Sequence, residues 1–553
     1  MQHVSVLVGG ETGYGVSDAG VMICRLFCRL GYRIYMYNDY PSSVRGGHQF
    51  VIVRASTEKV AGHSDQVDVV LAFNQDTLDV HKIRFHNHTV IIYDSEKVRI
   101  DGISQPSYGL PLGKILEEEG GKPVLGISCM MGGLCKALNI DWNIFEAMMQ
   151  KHQTETVKKS LKIAHKGFEM AQTVDSLEVI QQPLLPVLSG NQAITLGLLK
   201  AGLQAYVAYP MTPTSPIAEL LASLEPDIGI HVVLPESEIA VMMMALGYSY
   251  MGVKSAIGTS GGGFSLMVEG LSLAGQAELP VVVVLGQRAG PATGMPTYTA
   301  QTDLNFVLHA GHGEFPRFII APGDAEEACY WAGVALNKAW KYQIPAFILA
   351  DKTLCLGLFS FDLSLTAELK EEPPVLWDGQ GEYKRYQYTE DGISPLAFPP
   401  VEAQVVKTNS YVHDENGITS EDPADARAVA DKRFLKEKNL AAELKDFETV
   451  KVYNQGKTAL LCWGSNKGVC IEIAKKYGLK VIQMLVLSPF PEQALTQALQ
   501  GIEKIISVEC NGKGQLVTLV KQHGFKVDDQ ILKYDGRPFS LEDLENDVKK
   551  VIG

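Results

Sequence analysis

The sequence has no C-x-x-C pair, no block of lysine and arginine residues, and no apolar run of bilayer-spanning length. Its nine cysteines are scattered, and they lie at positions 24, 28, 129, 135, 329, 355, 462, 470 and 510. An odd number of isolated cysteines offers no recognisable zinc or iron–sulfur ligand set and is typical of reduced thiols in the cytoplasm. The sequence therefore predicts no metal site on this chain.

The sequence also has fewer positively than negatively charged residues. The 49 Lys and Arg residues face 63 Asp and Glu residues, which gives a net charge of −14. This balance disfavours binding to nucleic acid or to an anionic membrane surface. The longest uncharged apolar stretch, 239–253, is shorter than the roughly 20 residues that a membrane helix needs. The first residues lack the basic region of a signal peptide. We expect a cytoplasmic protein without nucleic-acid or membrane partners.

The 553 residues suggest three or four domains, and alternating strand and helix patterns predict an α/β fold. The first α/β pattern covers residues 1–178 and the second covers 187–365, whose uninterrupted apolar strands suit a parallel sheet. Residues 366–450 contain six prolines and predict an extended arm with one helix near 422–446. A third α/β pattern covers 451–553. The sequence thus predicts three α/β domains and an arm.

A glycine-rich turn at 9–15 follows the first predicted strand. Gly13 and Gly15 match part of a dinucleotide-binding fingerprint, but Asp18 stands where the third glycine belongs. A negative side chain there would face the phosphates of the nucleotide. We therefore expect a tight strand–helix turn without bound NAD.

The loop 208–216, with the sequence AYPMTPTSP, connects a predicted strand to a helix. In one interpretation Ser215 caps that helix and Pro216 is its first residue. In the other, the prolines stiffen a loop that presents hydroxyls and amides at the carboxyl edge of the sheet, where open α/β folds bind ligands. The residues alone leave both interpretations open.

Three further features precede or follow predicted strands of the same domain. Glu238 begins an apolar helix, where an acid either stabilises the helix dipole or, if buried, could share a proton with a ligand. The three glycines 261–263 would admit a flat or bulky group against the backbone. Arg288 leaves a strand on a Gly/Pro-rich loop, where it could grip a carboxylate or form a surface salt bridge.

In this order on one domain, these motifs resemble the α subunit of the 2-oxoacid:ferredoxin oxidoreductases. Residues 209–215 resemble the family's Y-P-I-T-P-S-S, and residues 288–297 are close to its R-x-G-P-S-T-G-x-P-T. Residues 509–516, ECNGKGQL, resemble the E-x-N-x-x-G-Q stretch near the end of that subunit. Residues 40–47, YPSSVRGG, resemble the γ subunit, although the turn at 9–15 departs from its G-x-G-G-Q-G. The γ-then-α order resembles fused α subunits of the 2-oxoglutarate type.

The resemblance implies a γ-like domain, a thiamine diphosphate pyrimidine-binding fold and a transketolase C-terminal-like domain. It makes Glu238 the glutamate that activates the cofactor. The other implied cofactor contacts are Pro210, Gly261 and Gly262. Thr212 and Arg288 are the residues implied to hold the substrate 1-carboxylate, and Thr297 is implied to lie near the same pocket.

A thiamine enzyme also needs a G-D-G turn and a later Asn for Mg²⁺ and diphosphate, and the nearest string, Gly323-Asp324-Ala325, lacks the second glycine. The resemblance therefore implies that a β subunit carries this half-site and a [4Fe-4S] cluster in an (αβ)₂ assembly. It also implies ferredoxin as electron acceptor and CoA as co-substrate.

For the substrate we expect 2-oxoglutarate, with pyruvate or a branched-chain 2-oxoacid as alternatives. The alternative function is that of a non-catalytic scaffold subunit. Ser43 and Arg45 are candidates for binding a second carboxylate, unless Arg45 only packs its loop.

Overall fold

The structure, a computed structural model, describes residues 3–42, 46–150 and 154–552. It divides the chain into two compact units. The first comprises Met1–Ser189, Leu356–Asp362 and Phe539–Lys550, and the second comprises Gly190–Cys355, Leu363–Pro538 and Val551–Gly553. Among the described residues, no helix combines the length and the apolar character that crossing a bilayer requires.

The strands, in chain order, are β1 His3–Glu11, β2 Arg33–Asp39, β3 His48–Ser56, β4 Val67–Ala72, β5 Phe85–Asp94, β6 Ser107–Leu110, β7 Val187–Ser189, β8 Ala205–Ala208, β9 His231–Val233, β10 Ser255–Thr259, β11 Val281–Ala289, β12 Met295–Thr299, β13 Phe318–Ile320, β14 Pro345–Asp351, β15 Leu358–Ser360, β16 Val450–Tyr453, β17 Thr458–Cys462, β18 Lys480–Met484, β19 Val486–Ser488, β20 Lys504–Glu509 and β21 Asp529–Leu532.

The α-helices are α1 Val16–Arg29, α2 Gln75–His81, α3 Leu112–Glu118, α4 Gly126–Ala137, α5 Trp142–Met149, α6 Glu155–Met170, α7 Gly190–Lys200, α8 Ser215–Ile228, α9 Glu238–Tyr250, α10 Gly261–Phe264, α11 Val268–Ala277, α12 Leu304–His309, α13 Ala325–Tyr342, α14 Lys352–Leu356, α15 Pro423–Glu443, α16 Lys467–Tyr477, α17 Glu492–Ala498, α18 Gln515–Gln522 and α19 Leu541–Ile552.

The first unit is built on a sheet with the order β6-β5-β4-β1-β3-β2-β15-β7. The sequence predicts a βαβ unit from β1, α1 and β2, but β3 lies between these two strands and pairs antiparallel with both. The reason is the short connection from β2 to β3, which favours an antiparallel neighbour. Helices α4 and α6 pack closely, since a Cβ on Gly132 would lie 1.7 Å from the Ala164 carbonyl oxygen.

The segment 129–150, where the sequence pattern predicts a helix, contains two helices. Helix α4 ends at Ala137, and Asn139 takes a left-handed conformation with φ 50°. Asp141 then caps α5 by accepting a hydrogen bond from the Asn143 amide at 2.9 Å. Asn is one of the few residues that tolerates this backbone, and it ends the first helix here.

The second unit contains a sheet with the order β19-β13-β14-β11-β10-β8-β9. Strands β9, β8, β10, β11, β14 and β13 run parallel, so their carboxyl ends meet at one edge. A second sheet, β16-β18-β17-β20-β21, packs into the same hydrophobic core, which contains Val283 of β11 and Ile482 of β18. This geometry brings the loops after β8, β10 and β11 together.

Residues 366–450 belong to the second unit and contain helix α15, close to the predicted 422–446. Helix α15 is anchored by Glu278, which ends α11 and accepts hydrogen bonds from the Lys432 ammonium at 3.0 and 2.9 Å and from Lys436. Burial alone would raise the pKa of Glu278, but the two ammonium groups hold it well below its usual range. Burial, partly offset by Glu278, lowers the pKa of Lys436 to about 7. A buried carboxylate thus joins this segment to the sheet domain.

Candidate active site

Glu238 is the first residue of α9, and its side chain is 6% exposed. The preceding Ser237 caps the helix by accepting a hydrogen bond from the Ala240 amide at 3.4 Å. No hydrogen bond from another described residue reaches the Glu238 carboxylate. A buried carboxyl without a partner in its own chain is costly unless a ligand or a proton satisfies it. Its position therefore points to a ligand.

The glycine turn 261–263 begins α10 at the carboxyl end of β10. A Cβ on Gly263 would lie 2.7 Å from Glu238 Oε1 and 2.4 Å from Thr259 Oγ1. A Cβ on Gly261 would lie 2.5 Å from Asp303 Oδ1. Gly262, in contrast, is exposed, and the nearest atom to its Cβ position is the Ala292 carbonyl oxygen at 3.7 Å. The turn thus needs glycine at both ends and leaves open backbone in the middle.

The loop after β8 is held from within. Thr214 donates from its amide and its hydroxyl to the Met211 carbonyl, at 3.0 and 3.1 Å. Asn191 donates to the Pro213 carbonyl at 2.8 Å from the start of α7. Helix α8 begins at Ser215 with Thr214 as its N-cap residue, one position before the expected cap. The loop is therefore a helix start, as one sequence interpretation predicted, and a fixed segment at the carboxyl end of β8.

Arg288 links this loop to β11. Its Nη1 donates to the Thr212 carbonyl oxygen at 3.0 Å, and the side chain is half-buried. Burial lowers the pKa of Arg288, and the nearby carboxyl of Asp303 acts in the opposite direction. The guanidinium still has donors left for a ligand carboxylate.

The remaining predicted site residues are distributed as follows. Thr297 lies on β12, which pairs with β11, and its hydroxyl is buried without a hydrogen-bond partner among the described residues. Pro210 is exposed at the carboxyl end of β8. Ser43 and Arg45 lie outside the described residues. The structure therefore brings Glu238 to the glycine turn, and it brings Arg288 to the loop that contains Thr212.

Asp303 also lies beside the glycine turn, although no motif in the sequence indicates it. Its carboxyl contacts Gly261, and burial raises its pKa to about 7 although the Arg288 guanidinium lowers it. In sequence it resembles an ordinary helix cap, because it directly precedes α12. The only available signal was its place soon after the Gly/Pro-rich loop that begins at Arg288.

The motif at 509–515 holds the C-terminal part of the unit together. Fully buried Glu509 accepts hydrogen bonds from the Leu516 amide at 2.9 Å, the Val517 amide at 3.2 Å and Asn511 Nδ2 at 2.8 Å. It therefore satisfies the free amides at the start of α18. Gln515 donates to the Thr302 carbonyl at 2.8 Å, which fixes the segment preceding α12.

Asp324 of the Gly323-Asp324-Ala325 string and the nine cysteines have structural environments. Asp324 caps α13 by accepting from the Glu327 amide at 2.9 Å, and it pairs with Lys467 at 2.6 Å. All nine cysteines are free and buried. In the part of the chain that the structure describes, no group of three or more His, Cys, Asp or Glu side chains could hold a metal ion.

The chain is similar to several known proteins. Residues 196–431 match the family described as "Pyruvate flavodoxin/ferredoxin oxidoreductase, thiamine diP-bdg", and residues 5–170 match "Pyruvate ferredoxin/flavodoxin oxidoreductase". The 2-oxoacid:ferredoxin oxidoreductase subunit alpha of Sulfolobus sp. is 31% identical over 100% of this chain and 97% of that protein. The 2-oxoglutarate synthase subunit KorA of Methanocaldococcus jannaschii is 30% identical over 65% of this chain and 98% of its own length.

A solved structure agrees over the full length. The 2-oxoglutarate:ferredoxin oxidoreductase from Magnetococcus marinus, with 2-oxoglutarate, coenzyme A and succinyl-CoA bound, has a TM-score of 0.92 and 29% identity, and covers 100% of both chains. The α/β fold class predicted from the sequence is confirmed. With these matches and the site around Glu238, the chain belongs to the α subunits of the 2-oxoacid:ferredoxin oxidoreductase family.

Proposed function

We propose that this oxidoreductase subunit acts on 2-oxoglutarate, interconverting 2-oxoglutarate, CoA and oxidised ferredoxin with succinyl-CoA, CO₂ and reduced ferredoxin. The observation that carries the proposal is the buried Glu238 carboxyl, which has no hydrogen-bond partner among the residues that the structure describes and lies beside an open glycine turn. The solved relative with 2-oxoglutarate and succinyl-CoA bound, which matches this chain over its full length, supports the choice of substrate.

The residues fit thiamine diphosphate. Glu238 offers a carboxyl to which no described residue donates a hydrogen bond. The turn at Gly261 and Gly262 offers backbone that a flat ring could approach, with Pro210 at the adjacent loop. When bound, this cofactor supplies an electron sink for the loss of CO₂ from a 2-oxoacid. Glu238 would hold a proton at its carboxyl against the aminopyrimidine ring.

The loop after β8 and the strands β11 and β12 contain the residues that would orient the substrate. Arg288, already bonded to the Thr212 carbonyl, would bind the 1-carboxylate with its remaining donors. The Thr212 and Thr297 hydroxyls would complete that grip, and the unpaired hydroxyl of Thr297 is suited to accept a new partner.

A second chain is needed to complete this site. We infer that a β subunit brings the Mg²⁺ and diphosphate site together with the [4Fe-4S] cluster that passes electrons to ferredoxin, in an (αβ)₂ assembly. The relatives are themselves designated alpha subunits. Apolar side chains next to Glu238 support this inference, because Ile239 is 54% exposed and Met243 is 45% exposed on α9. The sequence predicts an apolar helix here, and its outward side is the surface we assign to the β subunit.

Charged substitutions on this surface are expected to block assembly. Ile239→Lys and Met243→Lys should abolish co-purification of the β subunit, while the stability of the α chain changes by no more than about 0.5 kcal/mol because both side chains are exposed. Val405→Lys, at an exposed apolar position in the 366–450 segment, is the matched control and should retain the β subunit. Normal assembly of both α9 variants would contradict the assignment.

Alanine at two neighbouring glycines should separate cofactor contact from packing. Gly262→Ala meets no atom within 3.4 Å in this chain and should leave its stability unchanged, yet weaken thiamine diphosphate binding by about 1–3 kcal/mol through crowding. In Gly263→Ala the added Cβ should displace the Glu238 carboxylate, so this variant should lose turnover in addition to cofactor affinity. Calorimetric titration of the αβ complex and thermal unfolding measure these effects. Unchanged cofactor affinity in Gly262→Ala would remove that residue from the site.

The second carboxylate of 2-oxoglutarate needs its own partner, and Arg45 with Ser43 is our proposal for it. Arg45→Ala should raise the KM for 2-oxoglutarate more than the KM for pyruvate or 2-oxobutyrate, because only the first substrate has a distal carboxylate. Steady-state kinetics with the three acids make the comparison. Equal increases in KM for all three acids would show that Arg45 does not bind the distal carboxylate.

The function is tested by co-expression with the β subunit and a panel of 2-oxoacids, with CoA and with ferredoxin or a viologen as acceptor. We expect the highest kcat/KM for 2-oxoglutarate. Pyruvate is the second candidate, because both matching family descriptions name it. A preference for pyruvate would correct the substrate, and an intact complex inactive with every 2-oxoacid would instead indicate a scaffold.

A further inference from the structure

Asp303 carries an acidic group that the proposed chemistry has not used. Its Oδ2 is enclosed and has no hydrogen-bond partner among the described residues. Its Oδ1 lies 2.5 Å from the position that a Cβ on Gly261 would occupy. An ionised carboxylate in such a place lacks the donors that would replace its water, whereas a protonated one needs fewer. The geometry therefore favours a carboxyl that changes its protonation with the state of the site.

The charges around Asp303 are few. Arg288 of β11 is the charged side chain that acts on it, while the glycine turn of α10 presents only backbone. The backbone amide of Asp303 donates to the neutral side chain of Gln287 at 3.2 Å. Glu238 contacts the other end of the same turn, at Gly263. Burial is the larger influence and raises the pKa of Asp303 to about 7, against the pull of Arg288.

Asp303 has little freedom to move away. The backbone N–H of Gln301, two residues earlier, donates to the Cys510 carbonyl oxygen at 2.7 Å. The Oε1 atom of the same residue accepts from the Cys510 backbone N–H at 2.9 Å. Gln515 accepts from the Asn305 amide at 2.9 Å, two residues later. The segment is thus bound on both sides of Asp303 by the C-terminal part of the unit. These bonds fix the backbone from which the Asp303 carboxyl reaches the glycine turn.

From this arrangement we propose that Asp303 takes up one proton from solvent when the carboxylate of a 2-oxoacid binds to Arg288, and returns it when the site empties. The inference rests on the proposed function, because it takes Arg288 as the carboxylate site. One guanidinium cannot neutralise two carboxylates, so one of the two anions is neutralised by a proton. Asp303 is then a positioning residue that leaves Arg288 fully available to the substrate.

Proton uptake is measured by titrating 2-oxoglutarate into the αβ complex, depleted of thiamine diphosphate, at pH 8 in two buffers of different ionisation enthalpy. The wild-type complex should take up about one proton per site. In the complex that contains thiamine diphosphate, kcat/KM should fall about tenfold per pH unit above 7, because the complex binds substrate well only when Asp303 is protonated. Asp303→Asn should show no uptake and a flat profile over the same range.

Asp227→Asn, at an exposed position of α8, is the matched control and should behave as wild type. A wild-type complex that binds 2-oxoglutarate without proton uptake, or an Asp303→Asn complex that still takes one up, would overturn the inference. In either case normal ferredoxin reduction would leave the proposed function standing. Failure to bind and to oxidise any 2-oxoacid would overturn both. If Asp303→Asn does not assemble, the proton count and pH profile of the wild-type complex still decide.

Discussion

Glu238→Gln is expected to lower kcat of the αβ complex by about 10²–10⁴-fold, the range typical of losing one positioned acid or base. The substitution keeps the size of the side chain but removes the carboxyl that would share a proton with the cofactor. The α chain should fold normally, because no described residue donates a hydrogen bond to that carboxylate. Single-turnover assays with 2-oxoglutarate, together with thermal unfolding of the chain, test both statements.

Glu225→Gln on helix α8 is the matched control for this substitution, since Glu225 is exposed. It should leave kcat unchanged. If Glu238→Gln also retained normal turnover, the chain would hold its place in the complex without contributing the acid, and the scaffold interpretation would gain support.

Glu278→Gln is expected to destabilise the α chain by about 3–5 kcal/mol, the cost of leaving a buried charge without its partner. Lys432 and Lys436 are both almost completely buried and both bind this one carboxylate. Their loss of a counter-charge should release α15 from the sheet domain. Urea unfolding measures the free energy, and increased proteolysis within residues 366–450 would show where the structure opens.

The control for Glu278 is an ion pair of the same chemistry in solvent. Glu503 pairs with Lys457 at 2.7 Å, and both side chains are largely exposed. Glu503→Gln should therefore change the free energy of unfolding by less than about 1 kcal/mol. Equal effects of the two substitutions would mean that the buried cluster does not anchor the segment.

Sequence patterns predicted most elements of the second unit, because its parallel strands are uninterrupted apolar runs separated by clear turns. The apolar run after Lys254 predicts a strand, found as β10 Ser255–Thr259, and the apolar run from Glu238 predicts a helix, found as α9 Glu238–Tyr250. Local periodicity is enough for such elements. It does not reveal strand order, which is why the insertion of β3 between β1 and β2 was not foreseen.

The candidate site was predicted in part for a similar reason. Glu238, Arg288 and the glycine turn each follow or precede a strand, and the parallel sheet brings such positions together. Asp303 is set by a contact between segments far apart in sequence, since Gln515 holds the residues around it. Burial of its carboxyl depends on that tertiary contact and leaves no local pattern in the sequence.

The exposed side of α9 shows another limit of what the sequence pattern can predict about burial. The run from Ile239 onwards is apolar throughout, which in isolation suggests a fully buried helix. In the structure Ile239 and Met243 face outward, while Met242 and Ala245 enter the core. The apolar pattern therefore does not distinguish the side of α9 that enters the core from the exposed side, which we propose contacts a second chain.

If this chain holds only part of a thiamine diphosphate site, the isolated subunits should bind the cofactor weakly. Thiamine diphosphate with Mg²⁺ is titrated into the α chain alone, the β chain alone and the mixture. Tight binding is expected only in the mixture, and it should be lost in Glu238→Gln. Binding to the isolated α chain as tight as to the mixture would contradict this prediction.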